Sequence, residues 1–248
     1  MLQQKPLLRG RIHQLAFYIT IILTLFYITI SLIKSYKYEL TLYIIGQLTL
    51  FGISSKYHLT DWKNEKTKKI FQKLDHISIF LLISCTQSSF VLTLLPKIEI
   101  VNKILILTWT ITLLGILKII CISNEYEIID VSLYMIHGVS IVPFFHILLK
   151  YINISKMFYL VFGGVFYIMG GVVFGMHRPD PFPSVFGYHE VFHVLTVIAN
   201  TCFMIPLLQW YYGVINGVLG GVSVSLGVDN CSNSSMGVSN MDRYLTPC

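Results

Sequence analysis

Charge is scarce in this sequence: Asp, Glu, Lys and Arg make up 12% of its 248 residues, where a soluble domain carries about 25%. With 54% apolar residues and a mean hydropathy of +0.69, an ordinary soluble domain is excluded and an integral, multi-pass membrane protein is expected. Cysteine is sparse and poorly arranged. Cys85, Cys121, Cys202, Cys231 and Cys248 are odd in number, form no C-x-x-C pair, and three of them lie inside apolar runs. Neither a disulfide framework nor a thiolate metal site follows from that pattern, and small buried thiols do. No cleavable signal is expected either, and the first run reads as a transmembrane helix. Lys5, Arg9 and Arg11 precede an apolar run longer than a signal h-region, and no small-residue cleavage site follows it. A basic stripe interleaved with aromatics is also absent. The six excess positive charges fall in loops, which assigns them to membrane topology and lipid head groups and not to nucleic acid.

Present instead are seven apolar runs, each close to the roughly 20 residues that a bilayer-spanning helix needs. They cover residues 14–33, 40–59, 74–95, 104–122, 128–149, 157–176 and 188–212. Short linkers join them, so the expected fold is all-α, a single seven-transmembrane-helix bundle over residues 14–212. Residues 1–13 are expected as a short cytoplasmic N-terminus, and 213–248, rich in Gly, Val, Ser and Asn, as a low-complexity, disordered tail. With the N-terminus inside, 11 Lys and Arg fall on the inner side and 7 on the outer, which favours that orientation. The segment 61–73, with five lysines, weighs most. It reads as a solvated loop before it reads as a contact for anionic lipid. The sixth run carries Gly163, Gly164, Gly170, Gly171 and Gly175. Small residues let helices approach closely in lipid, which predicts a centrally packed helix.

The polar exceptions inside these runs carry the functional signal. By parity, the end of the second run, the start of the third and the start of the seventh lie on one side of the bilayer. They hold Ser54 and His58, then Asp75 and His76, then His189 and His193. His189 and His193 are four apart and share one helical face. With His58 they supply the three protein ligands of a catalytic zinc site, the fourth position being left to water, whose pKa zinc lowers to about 7. Asp75 is placed to accept or orient that water's proton. Ser54, four residues before His58, is placed to hydrogen-bond water or substrate. His76 points about 100° away from Asp75 on a helix and is left outside the ligand set. His137, His146 and Asp130 read as packing and local pairing, and His13 and His177 as interfacial. His189-Glu190-Val191-Phe192-His193 also satisfies H-E-x-x-H, whose Glu is the general base of zinc proteases. An intramembrane metalloprotease is therefore an alternative.

These residues have a familiar arrangement. Ser54-Ser55-Lys56-Tyr57-His58-Leu59, the stretch Leu74-Asp75-His76-Ile77-Ser78-Ile79-Phe80-Leu81-Leu82-Ile83, and Gly187-Tyr188-His189-Glu190-Val191-Phe192-His193 resemble the three signature segments of the hemolysin III family. That family sits within the adiponectin and progestin receptor superfamily. The resemblance runs from the first helix to about Tyr212. It implies seven helices with zinc near the cytoplasmic face, held by His58, His189 and His193, and with Asp75 and Ser54 in the same polar site. It also implies either ceramidase-like hydrolysis of lipid amides or a pore-forming, cytolytic activity with a structural metal. A pore would need homo-oligomers. A ligand-responsive receptor ranks last, for want of a sizeable domain outside the bilayer. Ser84-Cys85-Thr86-Gln87-Ser88-Ser89 departs from the family's small, glycine-containing stretch and is expected to alter a cavity wall.

Overall fold

The computed structural model describes residues 5–33, 37–122 and 127–225. It is a helical bundle of α1 (Arg11–Ile33), α2 (Tyr38–Leu59), α3 (Glu65–Leu94), α4 (Glu99–Cys121), α5 (Glu127–Val139), α6 (Phe145–Tyr151), α7 (Ile154–Met176) and α8 (Tyr188–Ser225). Among the described residues, extended pairing is limited to one isolated bridge between Phe182 and Phe186.

Six helical stretches are long and apolar enough to cross a membrane. The second apolar run is the exception by composition. Its helix, α2, carries Gln47, Ser54, Ser55, Lys56 and His58, most of them buried. At 1.5 Å per residue its 22 residues still span about 33 Å, and it packs between α1 and α3. Counted with the six, it gives seven helical stretches of bilayer-spanning length. The fifth run is one pass built from two helices. Pro143 has no N–H to give and its ring clashes one turn back, at Val139. There α5 stops, a 3₁₀ turn over Val142–Phe144 follows, and α6 resumes at Phe145.

The third helix is the hub. Its 30 residues, about 45 Å long, begin well before the apolar run, where the Asn64 side chain accepts from the N–H groups of Lys66 and Thr67. The first turns carry the lysines outside the bilayer core. The rest is the most buried span of the molecule. The stretch Ser84–Ser89 is buried throughout and supplies polar contacts to other helices. The Thr108 hydroxyl donates to Gln87 Oε1 at 2.6 Å, Gln87 Nε2 donates to the His137 carbonyl at 3.1 Å, and Trp109 Nε1 donates to Ser88 Oγ at 3.0 Å. Ser84 Oγ hydrogen-bonds Thr112 Oγ1 and lies 3.4 Å from His137 Nε2. His137 thus pairs locally, as expected. Ser84, Gln87 and Ser88 form the seam of α3 with α4 and α5, while Ser89 donates to the Glu39 carbonyl of α2.

The helix α7 is not central. Phe192, Leu195 and Phe203 of α8 and Ile128, Val131 and Met135 of α5 meet its glycines, but Phe158, Phe162, Val165, Met169 and Val172 are exposed. A Cβ at Gly163 would lie 2.8 Å from the Phe203 ring and one at Gly171 2.6 Å from Met135 Sδ, while one at Gly164 would meet nothing. The glycines admit α8 on one side and α5 on another, and the remaining face is exposed and apolar. Among the described cysteines, Cys85 is buried, Cys121 is exposed and all are free.

One compact unit ends at Tyr211 and a second begins at Tyr212. The expected tail starts within helix: α8 continues through Ser225, since glycine among Val, Ile and Leu is common in membrane helices. The remainder of that tail, 226–248, lies outside the described residues, with Cys231 and Cys248.

Candidate metal centre

The helix that carries two of the histidines is started by its own carboxylate. After α7 ends at His177, in the left-handed region with φ 54°, Pro179, Pro181 and Pro183 keep the chain out of helix. Gly187 then caps α8: its N–H donates to Glu190 Oε2 at 2.8 Å, and the Tyr188 N–H donates to Asp180 Oδ1 at 2.9 Å. Glu three residues after the cap, reaching back to the cap N–H, is half of a capping box. The other oxygen of Glu190 accepts from Arg9 Nε, and the side chain is fully buried. A general base must reach the water it deprotonates. With both oxygens engaged, Glu190 serves the helix start, which counts against the H-E-x-x-H protease alternative.

One turn apart on α8, His189 and His193 face His58 from the last turn of α2. One ligand atom from each of the three lies within 4.8 Å of the others. The ring centroids are 4.7 Å apart for His58 and His189, 5.3 Å for His58 and His193, and 4.6 Å for His189 and His193, with interplanar angles of 60° to 79°. Rings set edge to face in this way direct nitrogens inward without stacking. His58 and His193 are buried, and neither His58 Nε2 nor His193 Nδ1 has a hydrogen-bond partner. Buried imidazole nitrogens are normally paired. Two orphaned in one three-histidine cluster fit a divalent cation, the donor set being that of zinc. The orphaned atoms fit the group that the family resemblance implies.

Of the two polar residues expected beside the ligands, Asp75 lies against His58 and Ser54 against His13. Asp75 Oδ2 is 3.4 Å from His58 Nε2, close beside it without a hydrogen bond. Ser78 donates to the Asp75 carbonyl at 2.6 Å. Ser54 Oγ is 2.9 Å from His13 Nδ1. His76 turns away, as its helical phase requires, and pairs with Asp130 at 3.5 Å.

His13 and Arg9 went unrecognised as parts of this centre. His13 is 2% exposed and stacks on His193, with centroids 3.7 Å apart and planes 9° apart. It is not interfacial, because the segment ahead of α1 folds over the site. The Leu7 and Leu8 N–H groups donate to the Ser184 and Val185 carbonyls, each at 3.1 Å. Gly10, at φ +79°, lies so close that a Cβ there would sit 2.7 Å from His58 Cβ. A histidine at the start of an apolar run was the available signal, and the run's length masked it. On the water side, a pocket of about 340 Å³ lined in part by Arg9, Tyr57, Asp61 and Trp62 reaches His58. A separate groove of about 540 Å³, mainly between α1 and α2, is lined by Phe17, Tyr18, Leu48, Ile53 and Leu59 together with Gln14, Ser55 and Lys56, and by none of the three clustered histidines or Asp75.

The model of a family described as Haemolysin-III related matches residues 1–204. The ADIPOR-like receptor IZH1 of Eremothecium gossypii is 22% identical over 194 residues, which are 72% of this chain and 61% of that protein. The ADIPOR-like receptor IZH2 of Saccharomyces cerevisiae is 26% identical over 186 residues, 68% of this chain and 58% of that protein. The Hemolysin-3 homolog of Bacillus subtilis is 26% identical over 155 residues, 60% of this chain and 70% of that protein. The chain thus spans about three fifths of the length of the two fungal relatives.

Proposed function

The chain belongs to the Haemolysin-III related family, and from that premise we propose that it is a zinc-binding membrane protein that hydrolyses lipid amides or esters. The observation that carries the reading is the cluster His58, His189 and His193, with ligand atoms within 4.8 Å and orphaned buried nitrogens. When bound, zinc supplies a Lewis acid for a carbonyl oxygen and lowers the pKa of water.

The chain's own residues divide the remaining tasks. Hydrolysis takes a proton from water and delivers one to the leaving amine or alcohol, and Asp75 Oδ2, beside His58, is the group to hold it between the two. Ser54 offers a hydroxyl on the His58 face of α2. Arg9 and Glu190 fix the start of α8, hence the spacing of His189 and His193. Asp75 and Ser54 are roles assigned by position. A ceramide-like amide suits a site buried among membrane-spanning helices and reached at His58 by a polar pocket. The Lys and Arg distribution supports placing this end of the bundle, with the N-terminus, on the cytoplasmic side.

The test has two parts. Purified protein should contain zinc that a His189→Ala, His193→Ala double variant lacks, and should release fatty acid from ceramide in a zinc-dependent way. Unchanged zinc in the variant ends the site claim, while retained zinc without release ends only the hydrolase claim. The name of the Bacillus subtilis relative is the support for a pore. Release of a trapped dye from liposomes, surviving Asp75→Ala, would favour that alternative.

A further inference from the structure

Four imidazoles meet at the site, His13, His58 and His193 buried and His189 half-buried, and only three of them belong to the cluster that could hold an ion. The fourth, His13, has two recorded contacts of a defining kind: the hydrogen bond of Nδ1 to Ser54 Oγ at 2.9 Å and the parallel stack on His193 at 3.7 Å. Its other nitrogen, Nε2, is buried without a partner. An orphaned N–H inside a protein costs more than an orphaned lone pair. The ring is therefore best drawn with its proton on Nδ1, donated to Ser54 Oγ. Ser54 has no other recorded partner among the described residues and lies four before His58 on the same helix. Its own proton is then left for a second acceptor, on the face of α2 that also carries His58.

We infer that His13 is a positioning residue of the metal centre, holding Ser54 as a hydrogen-bond donor and backing the His193 ring so that its ligand nitrogen keeps one direction. The inference rests on the zinc-site reading above and adds a residue from α1 to a site otherwise built from α2, α3 and α8. Groups that orient metal ligands typically contribute 10- to 100-fold to metal affinity. His13 reaches His193 through its ring face, so any flat ring at position 13 preserves part of that effect. The Ser54 arm requires a nitrogen.

The experiment uses the full chain in detergent or nanodiscs, with zinc affinity measured by chelator competition and with cobalt(II) substituted for zinc to read the site's visible absorption. Helix content is checked by circular dichroism. His13→Ala should weaken zinc binding by about 10- to 100-fold and shift the cobalt bands. His13→Phe should keep most of the affinity and reproduce the smaller spectral change of Ser54→Ala, and the His13→Phe, Ser54→Ala double variant should add nothing to either. A folded His13→Ala protein with wild-type affinity and bands overturns the inference. Should His13→Ala fail to fold, additive effects of His13→Phe and Ser54→Ala overturn it instead. Wild-type protein that takes up neither zinc nor cobalt overturns the underlying site reading, a result distinct from either of these.

Discussion

Arg9 Nε donates to Glu190 Oε1 across 181 residues of sequence, tying the segment before α1 to the first turn of α8. The carboxylate is fully buried and the guanidinium side chain is 21% exposed. Breaking a buried pair on one side leaves an uncompensated charge and typically costs about 3–5 kcal/mol. Arg9→Ala should fall near the lower end, because water can reach the vacated position, and Arg9→Ala with Glu190→Gln together should cost less than Arg9→Ala alone. Thermal unfolding in detergent reads both. If Glu190→Gln abolished activity while leaving stability unchanged, Glu190 would be a base after all.

Single removal of His58, His189 or His193 should each lower zinc stoichiometry, since each supplies one ligand atom to a cluster within 4.8 Å. Asp75→Asn keeps a hydrogen-bonding side chain beside His58 but cannot hold a proton. Zinc should stay bound, with affinity reduced by about 10-fold or more, while lipid hydrolysis is lost. Elemental analysis and fatty-acid release on the same preparation separate the two effects.

Gly10→Ala should damage the centre from outside it. The new Cβ would stand 2.7 Å from His58 Cβ at a backbone φ of +79°, and a left-handed conformation alone costs an L residue about 1–2 kcal/mol. Relief requires moving His58 or lifting the N-terminal segment. The expected result is a lower unfolding temperature together with weaker zinc binding. Gly164→Ala, where a Cβ would meet nothing, should be neutral in both measurements.

Gln87→Leu tests the seam of α3 with α4 and α5. It removes the acceptor of the Thr108 hydroxyl and the donor to the His137 carbonyl, leaving buried polar groups behind. Interhelical hydrogen bonds in membranes are worth about 0.6 kcal/mol on average. The loss should therefore be modest, about 1–2 kcal/mol, with zinc content unchanged. Unfolding titrations monitored by circular dichroism would show it.

Much of the site was legible because membrane sequences leave few polar residues to explain. The i, i+4 spacing of His189 and His193 fixes their shared face, and parity puts His58 and Asp75 at the same end whichever way the chain is oriented. The ring next to them was not legible. His13 stands at the edge of the first run, and nothing local distinguishes a histidine that meets head groups from one covered by a preceding segment. That cover depends on Arg9 meeting Glu190 and on Leu7 and Leu8 meeting Ser184 and Val185, pairings between opposite ends of the chain. The division of the fifth run at Pro143 was readable from proline chemistry alone, but run length hid it.

The sequence by itself determined a multi-pass helical protein, because hydrocarbon forces each long apolar run to satisfy its backbone internally. It also determined which few imidazoles and carboxylates had to be explained. Only the tertiary structure decided that Glu190 serves the helix start, that α7 keeps an exposed apolar face, and that a fourth imidazole backs the three. Those outcomes depend on helix phase and on contacts between distant segments, and the period of an apolar run carries neither.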